Sequence, residues 1–133
     1  MGSIVIPTMR YRDPRRMIDW LCDTFGFTRK AVYDDGSGGV AHAELSLGDG
    51  MIMLGSARDD DYGKVQQPAA ADRPVTQSTY IVVPDADAVY AKAKANGAAI
   101  VLDISDKDYG GRDFICRDPE GQVWSGGTYD PWK

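Results

Sequence analysis

The sequence predicts an α+β fold of two βαβββ modules, each forming a cupped, mixed or antiparallel sheet with its helix on the outside. Two observations support this prediction. An apolar strand followed by Asp-Pro or Pro-Asp and an amphipathic helix occurs twice, first from residue 4 and again from residue 80. After each helix come a glycine, further strand-like segments and a hairpin turn that contains glycine. Because a duplicated half rarely buries its apolar face alone, we expect the halves to share a core and to enclose a cavity.

Length and composition are those of a single globular domain. The 133 residues include 43% apolar and 26% charged residues, and the net charge of −5 argues against a nucleic-acid or acidic-membrane partner. No apolar run approaches the ~20 residues of a membrane span, and the N-terminus lacks the pattern of a secretory signal. We therefore expect a cytoplasmic protein with module one at 1–56, a connector at 57–77 and module two at 78–133.

The first module begins with a predicted strand over residues 4–9 and a helix with clear end signals. Asp13 is a good N-cap, Pro14 suits the first helical position, and Gly26 is a typical C-cap. Apolar residues at three-to-four spacing form one stripe, which is expected to be buried. The stripe consists of Met17, Trp20, Leu21 and Phe25.

Three strands complete the first module, over 27–33, 40–47 and the segment after Asp49-Gly50. Alternation in the second of these places His42 and Glu44 on the face opposite its apolar residues. Asp49-Gly50 predicts a two-residue hairpin, which puts Met53 on the same face as His42 and Glu44. The expected pairs are Leu47 with Ile52, Ser46 with Met53, and Leu45 with Leu54.

The second module repeats these signals. Asp85 is the expected N-cap of a helix that ends at Asn96-Gly97, and strands are predicted over 99–104, 112–117 and 122–127. The last two strands are joined by the turn Asp118-Pro119-Glu120-Gly121.

The register of this last hairpin decides which residues line the cavity. We expect Phe114 to pair with Ser125, which places both with Arg112 on the cavity face. Ile115 and Trp124 are then expected to face the second helix.

The remaining segments show no chemical motif. The connector is long, so we expect an exposed crossover or a lid, and the acidic run Asp59-Asp60-Asp61 is interpreted as a solvated stretch. Cys22 and Cys116 lack metal or redox spacing and are expected to be buried free thiols. No Gly-x-Ser-x-Gly elbow or phosphate-binding glycine loop is present.

The twice-repeated order of strand, helix and three strands, with the Pro84-Asp85 helix start and the Asp118–Gly121 turn, resembles the vicinal oxygen chelate superfamily. That group includes glyoxalase I, extradiol dioxygenases, fosfomycin-resistance enzymes and bleomycin-binding proteins. The segment 117–132 is similar to a glyoxalase/bleomycin-resistance-like branch that includes proteins binding peptide antibiotics. The resemblance covers nearly the whole chain and implies the fold described above and a homodimer.

The superfamily's enzymes hold a divalent metal with four side chains, usually His, Gln or Glu, on the first and fourth strands of each module. The resemblance places Ile6 and Met53 at these positions in module one, or Leu54 if the register slips. In module two it places Ser78 and Ser125 there. Alkyl, thioether and hydroxyl groups do not replace imidazole or carboxylate ligands, so we predict no metal, no cofactor and no catalytic residue.

We instead predict a ligand-binding site of polar anchors, adaptable methionines and stacking rings. Several alternatives remain for the polar residues. His42 and Glu44 form a proton-transfer dyad, bind a metal or contact the ligand, or Glu44 pairs with Arg10 or Arg112. An inward Arg10 or Arg112 could equally hold a carboxylate or phosphonate of a ligand. The predicted ligand-binding residues are His42, Glu44, Met51, Met53, Tyr80, Arg112, Phe114 and Ser125.

The predicted function is therefore metal-independent binding or sequestration of a small apolar or aromatic molecule, with antibiotics as one possible class. The alternative is a metal-dependent glyoxalase-like lyase or dioxygenase of the same superfamily. A third hypothesis is an interaction module that binds no small ligand.

Overall fold

The computed structural model describes residues 2–133 as two compact units, the first ending at Ala69 and the second covering Ala70–Lys133. Each unit contains a four-stranded mixed sheet and one α-helix, which confirms the predicted α+β class of paired βαβββ modules. Among the described residues, no helix has the length and apolar character needed to cross a membrane.

The elements of the first unit are β1 (Thr8–Tyr11), α1 (Pro14–Phe25), β2 (Thr28–Asp34), β3 (Val40–Leu47) and β4 (Gly50–Ser56). The strands follow the order β1-β4-β3-β2, and β1 runs parallel to β4 while the other pairs are antiparallel. The helix packs against one face of this sheet, and its predicted apolar stripe is buried.

Both ends of α1 are confirmed. The Asp13 carboxylate accepts a hydrogen bond from the Arg16 backbone N–H at 3.2 Å, and Pro14 is the first helical residue. At the other end, Gly26 has a φ of 87°, and its N–H donates to the Cys22 carbonyl oxygen. This left-handed conformation favours glycine, so the sequence signal and the geometry have the same cause.

The first strand is shorter than predicted and begins at Thr8 rather than Ile4. Pro7 has no backbone N–H to contribute to a strand ladder, although its carbonyl oxygen accepts from the Met53 N–H at 3.0 Å. Ile4 and Val5 precede the strand and are exposed.

The hairpin between β3 and β4 differs from the prediction by two residues. Leu47 pairs with Gly50 and Glu44 pairs with Met53, so the turn consists of Gly48 and Asp49. Gly48 has a φ of 56°, which suits glycine at the first central position of a tight hairpin turn. Because side chains alternate with period two, a shift of two residues leaves Met53 on the predicted face.

In the second unit, the strands follow the order β5-β8-β7-β6, and β5 runs parallel to β8. The helix has its predicted N-cap, since the Asp85 carboxylate accepts from the Ala88 N–H at 3.1 Å. The elements are β5 (Thr79–Val82), α2 (Ala86–Ala95), β6 (Ala99–Asp106), β7 (Arg112–Arg117) and β8 (Val123–Gly127).

The hairpin between β7 and β8 differs from the prediction by one residue, and this difference reverses the faces of β7. Phe114 pairs with Gly126 rather than with Ser125. The Asp118 N–H donates to the Gln122 carbonyl oxygen at 2.8 Å, which leaves a three-residue loop ending at Gly121 with a φ of 97°. Three-residue hairpin loops commonly end with a residue in the left-handed conformation. The turn predicted from the sequence, Asp118–Gly121, has four residues instead.

The Asp118 side chain fixes this register. Its carboxylate is buried and accepts from the backbone N–H groups of Glu120 and Gln122 at 2.9 and 3.0 Å. It also accepts from the Trp124 indole N–H at 3.0 Å. The turn and the adjacent core are therefore held by one carboxylate.

The connector is held to both units along its length. Residues 57–69 belong to the first unit, where Gln66 donates to the Thr8 carbonyl oxygen at 3.0 Å beside a short 3-10 helix, Tyr62–Lys64. In the second unit, Arg117 donates to the Arg73 carbonyl oxygen at 2.8 Å. Within the acidic run, Asp60 is not merely solvated, because its carboxylate accepts from the Gly63 N–H at 3.1 Å and from Arg58.

The two cysteines are free, but only Cys116 is fully buried, whereas Cys22 is partly exposed. Burial raises the pKa of the Cys116 thiol to about 12, so this side chain is an unreactive core residue.

Candidate functional site

The face of the first sheet that does not contact α1 collects polar and methionine side chains, and we call it the first helix-free face. The strand register determines which residues lie on this face, because residues paired across neighbouring strands project from the same side of the sheet. It consists of Thr8, Arg10, Thr28, Ala31, Tyr33, His42, Glu44, Ser46, Met51, Met53 and Gly55.

His42 and Glu44 contact each other on β3. The distance from His42 Nε2 to Glu44 Oε2 is 3.0 Å, and because an ionised carboxylate only accepts, the imidazole N–H donates. Both side chains are partly exposed, at 35% and 28%. Glu44 thus contacts His42, while Arg112 is engaged by Asp87 and Asp106 and Arg10 has no ion pair among residues 2–133. The alternative in which Glu44 pairs with either arginine is wrong.

Tyr33 adds an aromatic surface that sequence reasoning missed. It lies opposite His42 on β2, and the two rings are stacked with centroids 6.2 Å apart and planes inclined by 17°. Register irregularities in β2, between Arg29 and Ala31 and between Tyr33 and Asp34, disrupt the alternation that would have revealed its position.

The two methionines lie in the middle of the first helix-free face. Met53 pairs with Thr8 on one side and Glu44 on the other, and Met51 pairs with Ser46. Both are partly buried, so flexible thioether surface remains available between polar neighbours.

In the second unit, the corresponding surface, the second helix-free face, contains Tyr80, Ile115 and Ser125 in adjacent register positions. Tyr80 is 39% exposed, and its hydroxyl donates to the Tyr129 carbonyl oxygen at 2.8 Å. Partial burial, with a contribution from the charge of Asp113, raises the pKa of Tyr80. Tyr80 and Ser125 thus lie on the face that the sequence predicted.

Phe114 and Arg112 lie on the opposite face, which corrects the prediction that they line the cavity side. Phe114 is 0% exposed, and its ring meets the Tyr90 ring of α2 edge-on at 5.3 Å. Arg112 Nε and Nη2 both donate at 3.0 Å to the carboxylate of Asp87 in the first turn of α2. The one-residue register difference moved both side chains together.

The charged groups near the second helix-free face are already engaged. Asp113 accepts from the Tyr109 hydroxyl at 2.6 Å, and the Lys107 ammonium lies 3.4 Å from its other oxygen. The hydrogen bond to Asp113 raises the pKa of Tyr109 to about 12. Asp113 is thus neutralised by its own unit.

The comparison with protein families agrees with this architecture. The family model of the Glyoxalase/Bleomycin resistance protein/Dioxygenase superfamily matches residues 3–125. The chain belongs to this superfamily.

Solved structures of similar fold include TioX from Micromonospora sp. ML1, with a TM-score of 0.72 and 29% identity over 94% of each chain. The fosfomycin resistance protein FosX from Mesorhizobium loti has a TM-score of 0.68 over 99% of this chain and 96% of FosX. Its 15% identity supports the fold alone.

Among curated proteins, the "Putative glyoxylase CFP32" of Mycobacterium bovis is 30% identical over 88 residues. The match covers 65% of this chain but only 34%, about a third, of the relative's length. The same-named protein of Mycobacterium tuberculosis matches equally.

The positions that correspond to the superfamily's metal ligands do not form a suitable donor set in either unit. In the first, Met53 offers only a thioether and Ile6 an alkyl group, while Leu54 is fully buried. In the second, Ser78 precedes β5 and Ser125 pairs with Tyr80. Across residues 2–133, no three His, Cys, Asp or Glu side chains are gathered so that they could hold a metal. The residues present do not fit a divalent cation.

Proposed function

We propose that this superfamily member binds and sequesters a small apolar or aromatic molecule without a metal ion, and that antibiotics are among its ligands. The observation that carries the proposal is the composition of the first helix-free face. By the resemblance, Met53 corresponds to a position where the superfamily's enzymes place a metal ligand. It pairs with Glu44, which contacts His42, and the His42 ring stacks on Tyr33. Thioether and ring surfaces favour adaptable contact with a flat ligand, while Glu44 and His42 supply orientation.

The second helix-free face has an aromatic surface of its own, since Tyr80 is 39% exposed there. Tyr80 and Ile115 flank Ser125 there, and the Tyr80 hydroxyl is fixed by its hydrogen bond to the backbone. We include Tyr80 and Ser125 in the proposed binding residues and leave out Arg112 and Phe114, since both contact α2.

A thermal-shift screen of planar aromatic antibiotics tests this proposal, followed by calorimetry and chromatographic recovery of the bound compound. We expect stoichiometric binding and release of the compound unchanged. The substitution Met53→Lys places a charge in the middle of the first helix-free face and should abolish binding. Val101→Lys adds the same charge at an exposed position of β6 and should leave binding unchanged. Equal binding by both variants would refute the placement of the binding site on the first helix-free face.

The competing function is a metal-dependent lyase or dioxygenase. Two observations favour it: the 30% identity to a putative glyoxylase and the 3.0 Å contact between His42 and Glu44, which has the geometry of a proton-transfer pair. Elemental analysis of protein purified without chelators separates the two functions. Stoichiometric zinc, nickel, iron or manganese would overturn the metal-independent proposal.

We also propose that the protein forms a homodimer, since superfamily members are commonly dimeric. Exposed aromatic side chains near the C-terminus support this, above all Trp132, which is 94% exposed. Light scattering should give twice the chain mass of 14.5 kDa. Trp132→Ala should shift the equilibrium toward the monomer, and a monomeric wild type at all concentrations would reject the proposal.

A further inference from the structure

Arg10 lies on the first helix-free face with a guanidinium whose hydrogen-bonding capacity is only partly used. Its Nη1 donates to the Ser56 carbonyl oxygen over a long 3.5 Å, and its Nε is buried without a hydrogen-bond partner. Among residues 2–133, no carboxylate comes within ion-pair distance of it. Because the chain itself closes off Nε, a ligand acceptor reaches the guanidinium at its terminal nitrogens, of which Nη1 has only the long contact to Ser56.

Contacts with neighbouring residues fix the orientation of the Arg10 guanidinium. Its register partner on β4 is Gly55, where a Cβ atom would come too close to Nη1. The ring of Tyr62 lies against the guanidinium, with 5.0 Å between its centroid and Cζ. Tyr62 is itself fixed, because its hydroxyl donates to Gln66 Oε1 at 2.8 Å and Gln66 donates to the Thr8 carbonyl oxygen. A guanidinium held in this way is ordered before a ligand arrives.

We propose that Arg10 binds a carboxylate group of the ligand, so that the ligand class is aromatic carboxylic acids. This inference rests on the proposed function and names the chemistry of its ligand. Planar guanidinium and carboxylate groups match in shape and can form two parallel hydrogen bonds. The Arg10 side chain is only partly buried, so its charge is not sealed inside the unit.

The sheet also sets the size of this ligand. The Arg10 guanidinium lies over β4, and the stacked rings of His42 and Tyr33 lie on β3 and β2, the next two strands of the sheet. Neighbouring strands are about 4.8 Å apart. A carboxylate bound at Arg10 is therefore about 5–10 Å from a ring that stacks on this pair, a separation that fits a compact aromatic acid.

The test compares 2-naphthoate with 2-naphthamide, which have nearly the same shape and differ in charge. Calorimetry on the full chain should show naphthoate binding at least about tenfold more tightly than the amide. Arg10→Gln should remove this preference. Arg10→Lys should retain only part of it, because an ammonium keeps the charge and loses the planar fork.

The matched control is Arg16→Gln, which removes the same charge from an exposed position of α1 and should leave the preference unchanged. Equal affinity of the wild type for the two probes, or a preference that survives in Arg10→Gln, overturns the inference, while binding of the amide still supports the proposed function. Failure of both probes to bind also overturns it, and the antibiotic screen then decides the proposed function independently. Should Arg10→Gln not fold, undiminished preference in Arg10→Lys overturns the inference instead.

Discussion

The two helix-free faces arise from the same sequence of elements, yet their polar side chains are used differently. On the first, Arg10 has an unpartnered N–H, and His42 and Glu44 remain partly exposed. On the second, Asp113 is occupied by Tyr109 and a lysine of its own unit. The repeat therefore preserves the backbone plan without preserving the contacts of the polar groups, and the polar groups with unused hydrogen-bonding capacity lie on the first face.

The two helices differ in a complementary way. The stripe of α1 contains large side chains such as Met17 and Leu21, whereas the fully buried positions of α2 are only Ala86 and Ala93. The second unit obtains its core volume from the sheet, where Phe114 is fully buried. Phe114 is consequently needed against α2 and is not available for the helix-free face.

Replacement of a fully buried ring provides the strongest test of this contrast. Phe114→Ala should lower the free energy of unfolding by about 3–5 kcal/mol, because it leaves a cavity beneath α2. Met53→Ala, on the partly exposed first face, should cost only about 1 kcal/mol. Urea denaturation measures both. A Phe114→Ala variant as stable as Met53→Ala would restore the sequence-based register, with Phe114 on the helix-free face.

The two hairpin turns differ as much as the two faces. Asp118→Ala should cost about 2–4 kcal/mol, because it removes the acceptor for two backbone N–H groups and the buried Trp124 indole N–H. The matched change in the other hairpin, Asp49→Ala, affects an exposed turn residue and should stay within about 0.5 kcal/mol. Similar costs at both positions would show that Asp118 does not determine the register.

Local signals in the sequence predicted most of the fold. The caps Asp13 and Gly26 were predicted because capping depends on a few neighbouring backbone groups. Hairpin registers were less accessible, because a turn such as that before Gly121 can close with three residues or four. An error of two residues at Met53 preserved its face, whereas an error of one residue at Phe114 reversed it.

The candidate site was only partly predictable for the same reason. Alternation placed His42 and Glu44 correctly relative to each other, since both belong to one regular strand. Tyr33 was missed because β2 is irregular on both sides of it. The guanidinium of Arg10 lies between Gly55 of β4 and Tyr62 of the connector, and no local sequence pattern predicts that these distant residues come together.

The helix C-termini provide a comparison in which the two units should behave alike. Gly26 and Gly97 both have a φ of 87°, and no neighbouring atom would obstruct a Cβ at either position. Gly26→Ala and Gly97→Ala should each cost about 1–2 kcal/mol, the penalty for a side chain in the left-handed conformation. Thermal and urea denaturation measure both costs. A clear difference between them would show that the two caps are not equivalent.

The smallest expected effect concerns the engaged carboxylate of the second unit. The hydrogen bond from the Tyr109 hydroxyl to Asp113 raises the pKa of Tyr109 from about 10, its ordinary value, to about 12 in the folded protein. Between these values the unfolded state has lost the proton that the folded state keeps. The stabilising contribution of Tyr109 is therefore complete below pH 10 and is lost as the pH rises toward 12. Phenolate absorbance and stability measured over this interval should both show the shift.

Two substitutions separate this contribution from that of the other tyrosines. Tyr109→Phe should remove the late-titrating phenol and make stability less sensitive to pH between 10 and 12. Asp113→Asn keeps an acceptor of similar shape but removes the charge, so the pKa of Tyr109 should move back toward 10. A wild type whose phenols all titrate near pH 10 would mean that Asp113 is not held by Tyr109 in solution. Asp113 would then be held by Lys107 alone, and the contrast with the first face would be weaker.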